Sequence, residues 1–233
     1  MENIIPGDVP SKPTSVTRYS GEKKIMDLYH QPMMNRPNVD EYFMAMAELV
    51  AERSTCLRRK VGAVLVRDKM VLSTGYNGAP KGLTHCEELG GCIRQGDIHP
   101  PYLDIFFEEF SDKYGVNNRD EAVEKINFFP KKGDATPSGY RHELCRALHA
   151  EQNAVIQAAV SGISIRGSTL YCTTYPCVVC AKILINSEVE KVVYDSEYKD
   201  PLSENMLNQS EITVQKFKGK RKQKNISEYF SKK

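Results

Sequence analysis

Ser168-Thr169-Leu170-Tyr171-Cys172-Thr173-Thr174-Tyr175-Pro176-Cys177-Val178-Val179-Cys180 reads as a strand running into a helix. The strand covers 168–174, Pro176 marks the junction, and the helix runs from about Cys177 to Asn186. Cys177 and Cys180 fall on its first turn, where both sulfurs can aim at one point and the positive end of the helix dipole favours thiolates. Upstream, a helix predicted to begin near Glu143 carries His149-Ala150-Glu151 and a packing face of small residues, Ala147, Ala150, Ala154, Val155 and Ala158.

Outward from this pair the elements alternate. Tyr42, Phe43, Met46, Leu49 and Val50 recur at helical spacing after Asp40, a candidate N-cap, so a first helix is expected to end near Ser54. Two β-branched runs, 61–66 and 70–74, separated by Arg67-Asp68-Lys69, suit a hairpin. Gly75-Tyr76-Asn77-Gly78-Ala79-Pro80 then forms a loop, and further strands are expected over 191–195 and 211–217. Helices alternating with strands after a hairpin predict an α/β fold: a three-layer α/β/α domain around a central mixed sheet.

The chain has 233 residues, enough for one well-cored domain with extensions. Residues 1–38 read as a flexible arm, 39–217 as the folded domain with a partly helical insertion over 94–141, and 218–233 as a basic flexible tail. No apolar run approaches the roughly 20 residues that cross a bilayer, and 1–13 lack a signal pattern, so a cytoplasmic protein is expected, or a nuclear one if the cell has a nucleus. Seven cysteines in such a chain point to metal ligands, catalytic groups or core filling, and the odd count disfavours complete pairing. A net charge of +2 does not announce a nucleic-acid binder, although Lys216, Lys218, Lys220, Arg221, Lys222 and Lys224 cluster near the end.

A catalytic zinc takes three protein ligands and leaves a fourth position open, and His149, Cys177 and Cys180 meet that need. A lone C-x-x-C is shared by redox and structural zinc motifs. H-x-E followed by P-C-x-x-C, in this strand and helix context, is the specific signature of zinc-dependent deaminases. A purely structural site has no need of a carboxylate beside its open position, so Glu151 is the expected proton-transfer group rather than an exposed helix carboxylate.

The chain resembles the deoxycytidylate (dCMP) deaminases, including their bacterial late-competence branch. The carriers are Arg53-Ser54-Thr55-Cys56, Val61-Gly62-Ala63-Val64, the 75–80 loop, His149-Ala150-Glu151-Gln152-Asn153-Ala154 and Tyr175-Pro176-Cys177-Val178-Val179-Cys180. The Gly-Tyr-Asn-Gly-x-Pro loop favours this family over tRNA-adenosine and riboflavin-pathway deaminases. The resemblance implies a cytidine-deaminase-like fold, one catalytic Zn2+, hydrolysis of dCMP to dUMP and ammonia in supply of thymidylate synthesis, and a homo-oligomer, often a hexamer. It also implies that Asn77 reaches the nucleotide sugar and that Tyr175 borders the pyrimidine. The 5′-phosphate needs cations, for which Arg53, Arg58 and Arg59 are the nearest candidates, against the alternative that each is a solvated surface charge. Tyr175 is equally readable as a packing residue.

Cys56, Cys86, Cys92 and Cys145 lie where they could converge near the catalytic site, and several family members carry a second, structural zinc with ligands from these regions. His85 or His142 could replace one of them, and four unrelated free thiols is the alternative. Cys172, mid-strand, reads as an ordinary buried thiol. Near the end, Gln223, Ile226, Tyr229 and Phe230 resemble the peptide that docks on the PCNA-type sliding clamp. On one helical turn the three apolar residues form a plug beside a hydrogen-bonding glutamine, on a basic stem that tolerates DNA. A chance apolar cluster or a nuclear import signal is the competing reading. Two other functions stand beside dCMP deamination: deamination of cytosine in nucleic acid, and a clamp-binding zinc scaffold without turnover, which the intact ligand set disfavours.

Overall fold

Asn38 starts the first helix through a reciprocal capping box. Its side chain accepts from the Glu41 amide at 2.9 Å, and the Glu41 carboxylate accepts from the Asn38 amide at 2.9 Å. The structure, a computed structural model, describes residues 36–97 and 142–219 and the single positions 111, 113, 115, 117 and 121. Most of the expected arm, most of the insertion and the clamp-like motif at Gln223, Ile226, Tyr229 and Phe230 lie outside the described residues.

Helix α1 spans Val39–Ala51. Asp40 is therefore not its cap; its carboxylate instead accepts from the Tyr171 hydroxyl at 2.8 Å and from Gln215 Nε2 at 3.3 Å, pinning the helix to the sheet. The buried stripe is Phe43, Met44, Ala47 and Ala51, whereas Tyr42 and Leu49, expected to be inside, are each 48% exposed. The small Ala47 and Ala51 sit at the line of closest approach, and that choice is invisible to a count of large apolar residues.

Strands β1 (Gly62–Arg67) and β2 (Met70–Tyr76) form the expected hairpin. Its two-residue turn, Asp68-Lys69, has positive φ at both positions, the twist-matched arrangement for a tight hairpin. Helix α2 (Ala150–Val160), strand β3 (Thr169–Thr174), helix α3 (Val178–Asn186), strand β4 (Lys191–Ser196), helix α4 (Pro201–Gln209) and strand β5 (Thr213–Lys216) follow. The sheet order is β2-β1-β3-β4-β5, with β1 antiparallel to both neighbours and β3, β4 and β5 parallel. This is the mixed sheet expected. Helix α4 was not anticipated, although Asp200-Pro201 is an N-cap followed by proline at the first helical position.

Side chains alternate across the sheet. Val64, Val66, Tyr171 and Val193 face α1, while Ala63, Leu65, Leu170, Cys172 and Val192 face the alanines of α2 together with Ala181 and Leu184 of α3 and Leu207 of α4. The result is the three-layer α/β/α domain. Two glycines set the depth of its outer layers. A Cβ at Gly62 would overlap the Ala47 carbonyl of α1, and one at Gly75 would overlap the Ala150 carbonyl and Ala154 amide of α2. Overpacking of this kind costs about 1–3 kcal/mol, so β2 admits α2 only where a side chain is missing.

Candidate active site

Helix α2 does not begin near Glu143. His142–Leu144 form a separate 3₁₀ turn, and Leu148 pairs with Gly78 through two backbone hydrogen bonds of 2.9 and 3.2 Å. That bridge keeps the chain extended up to His149, which becomes the N-cap of α2 at φ −77° and ψ 159°. Cys177 takes the same role on α3, at φ −74° and ψ 169°. Gln152 Oε1 accepts from the His149 amide at 2.7 Å in a capping-box arrangement, and the Cys177 side chain makes no cap bond along α3. The two side chains turn toward each other.

His149 Nδ1 lies 3.3 Å from Cys177 Sγ and 3.3 Å from Cys180 Sγ. Tetrahedral zinc, with bonds of about 2.0–2.3 Å, separates nitrogen and sulfur ligands by about 3.5 Å, so the donor set fits that ion. Glu151 completes the cluster: its carboxylate, His149 and Cys180 bring ligand-type atoms within 4.8 Å of one another. Hydrogen bonding from Cys180, with help from His149, draws the Cys177 thiol down to about 4, while the bond to Cys177 and burial hold the Cys180 thiol well up. The sharing of protons among these groups is what a cation replaces when it binds. Burial pushes the Glu151 carboxyl up to about 7, against the pull of His149. A carboxyl so placed can hold and release a proton near neutrality.

His149, Glu151 and Cys177 line a cavity of about 300 Å3 that is also lined by Asn77, Tyr175 and four further cysteines, Cys56, Cys86, Cys92 and Cys145. Asn77 is buried, and its side chain is a brace. Its oxygen accepts from Ser54 Oγ at 2.6 Å and from the Val61 amide at 2.8 Å, and its nitrogen donates to the Arg59 carbonyl at 2.8 Å. The loop it holds carries Cys56, Arg58 and Arg59. Tyr175 stands edge-on to Tyr194 with ring centres 4.8 Å apart, so it both packs and lines the cavity. Arg53 is exposed and not among the lining residues; the cavity arginines are Arg58, Arg59, Arg94 and Arg146. Arg94 and Arg146 were missed, the first because it opens the insertion. Tyr198, whose ring lies 5.8 Å from the Arg59 guanidinium, was missed because nothing local marks it.

Burial, with the charges of Cys92, Cys145 and Cys56, raises the Cys86 thiol to about 11. No three of their sulfurs lie mutually within 4.8 Å among the described residues. Of the alternative ligands, His142 stands over the His149 ring at 5.0 Å, on the catalytic side, and His85 Nδ1 is 3.1 Å from Thr55 Oγ1.

The family model of the cytidine and deoxycytidylate deaminase zinc-binding region matches residues 37–196, from just before α1 to the end of β4, including every residue of the His149 cluster. The chain belongs to this deaminase family. Among curated relatives, the deoxycytidylate deaminase of Saccharomyces cerevisiae is 32% identical over 205 residues, covering 87% of this chain and 53% of the relative. The chain thus spans about half the length of that protein. The deoxycytidylate deaminase of Mycobacterium phage D29 is 34% identical over 164 residues, covering 70% of this chain and 99% of the relative. Among solved structures, the dCMP deaminase of cyanophage S-TIM5 in complex with dCMP and dUMP matches with a TM-score of 0.51 and 30% identity, covering 78% of this chain and 98% of that one. This deaminase-family domain therefore shares its fold with a nucleotide-bound relative. Among its described residues no helix is long and apolar enough to cross a membrane.

Proposed function

We propose that the protein hydrolyses dCMP to dUMP and ammonia, supplying dUMP for thymidylate synthesis. The observation that carries this reading is the convergence of His149, Cys177 and Cys180 beside the buried carboxyl of Glu151. The S-TIM5 relative, bound to dCMP and dUMP, supports the substrate. Zinc held by the three ligands would supply the Lewis acidity that makes water nucleophilic near neutral pH. Glu151 accepts a proton from the attacking water, returns it to the pyrimidine ring nitrogen, and helps the exocyclic amine leave as ammonia while a C–O bond replaces the C–N bond. Tyr175 borders the ring and Asn77 the sugar. Arg58, Arg59, Arg94 and Arg146 surround the phosphate in place of Arg53.

A second zinc at Cys56, Cys86, Cys92 and Cys145 belongs to the same reading. Three of these cysteines precede cavity arginines closely: Cys56 before Arg58 and Arg59, Cys92 before Arg94, and Cys145 before Arg146. A closed site there would fix the loops that carry the phosphate-binding cations. Self-association is supported by the exposed apolar side chains Met70 and Val71 on edge strand β2 and Ile156 and Val160 on α2. The tail's Gln223, Ile226, Tyr229 and Phe230 would tether the enzyme to a replication clamp, a reading that rests on the motif alone.

Ammonia release should be fastest from dCMP, slower from deoxycytidine and undetectable from single-stranded DNA. Glu151→Gln should lower turnover by at least about 100-fold with zinc still bound. Turnover of DNA but not dCMP would favour the nucleic-acid reading instead, and full activity in the variant would refute the proton shuttle. Metal analysis should find two zincs per chain, falling to one in Cys86→Ser; one zinc in both proteins would remove the second site. A peptide spanning 216–233 should bind a PCNA-type clamp and lose binding on Tyr229→Ala, whereas negligible binding by both peptides would end the tether proposal.

A further inference from the structure

The two cysteines that close the catalytic cluster sit on a turn that does not cap itself. Cys177 occupies the N-cap of α3, the position from which a side chain ordinarily satisfies an orphan amide of the first turn, yet it makes no such bond because its sulfur points to His149. The orphan amides of α3 need another acceptor. Asp200 supplies it from the far end of β4: its Oδ2 accepts from the Val178 amide at 2.8 Å while its Oδ1 accepts from the Ser203 amide at 3.1 Å. Ser203 then donates its hydroxyl to the Pro176 carbonyl at 2.7 Å. Asp200 is 9% exposed and Ser203 fully buried, so neither bond is diluted by solvent.

One carboxylate therefore caps two helices, α3 and α4, and one hydroxyl grips the turn on the other side of Cys177. The residues on either side of the ligand, Pro176 and Val178, are thus held through their backbones. We propose that Asp200 and Ser203 are positioning residues that preset the Cys177–Cys180 pair for the metal, touching neither metal nor substrate. The proposal rests on reading His149, Cys177 and Cys180 as the metal ligands, and it is independent of which nucleotide is deaminated. Outer partners of this kind set the orientation of a ligand, and losing one lowers metal affinity by about 10- to 100-fold. Asp200→Asn keeps the shape but turns one acceptor into a donor that faces an amide. Ser203→Ala removes only the hydroxyl grip.

The test uses the full chain with cobalt(II) as a spectroscopic probe of a two-sulfur, one-nitrogen site, against a competing chelator. Leu207→Ala serves as comparator, since Leu207 is fully buried on α4, lies four residues along that helix from Ser203 and is not among the residues lining the cavity. Asp200→Asn should weaken cobalt binding by about 10- to 100-fold and shift its visible bands, and Ser203→Ala should do so in the same direction by less. Leu207→Ala should lose thermal stability while binding cobalt as the unaltered protein does. Wild-type affinity in folded Asp200→Asn and Ser203→Ala would overturn the proposal. So would a loss in Leu207→Ala equal to that in Asp200→Asn, because the pair would then only build the fold. Absence of cobalt and zinc binding by the unaltered protein would refute the ligand assignment itself.

Discussion

Two helix starts, aimed at each other across 3.3 Å, organise the molecule. At an N-cap the backbone is extended rather than helical, so His149 on α2 and Cys177 on α3 present their side chains in directions that a mid-helix residue does not share. Everything nearby serves the constraint. The absent side chain of Gly75 lets α2 lie close on β2, and the Gly78–Leu148 bridge delivers His149 in extended form. The parallel pairing of β3 with β4 brings Asp200 round to the start of α3.

The convergence of His149, Cys177 and Cys180 was legible in the sequence because chemistry restricts which residues can form such a cluster. Few residue types bind zinc, and their spacing within one turn is short-range information. The hairpin, the strand into Cys177 and the mixed sheet were legible for a similar reason, as β-branched runs and proline act locally. What escaped was set by tertiary contact. The start of α2 moved from Glu143 to Ala150 because Leu148 pairs with a loop some 70 residues away in sequence. The cap of α1 moved from Asp40 to Asn38 because Asp40 is engaged by Tyr171 and Gln215.

The cavity shows the same division more sharply. Asn77 was singled out from its loop as a sugar contact, and the structure reveals what a linear motif hides: its amide ties Ser54, Arg59 and Val61 together. A residue singled out from a motif as a contact can thus turn out to brace a cavity wall. Arg53 lies outside that wall although it belongs to the motif, while Arg94 and Arg146 enter it from segments distant in sequence. Helical and loop geometry decide which of several neighbouring arginines faces inward, and sequence adjacency does not.

The proposed metal centre joins three side chains from two helix starts. Anomalous diffraction collected on either side of the zinc absorption edge tests it directly. A peak is expected about 2.0 Å from His149 Nδ1 and about 2.3 Å from the sulfurs of Cys177 and Cys180, with Glu151 beside its open face. A zinc-replete crystal with no anomalous density among these three residues would contradict it.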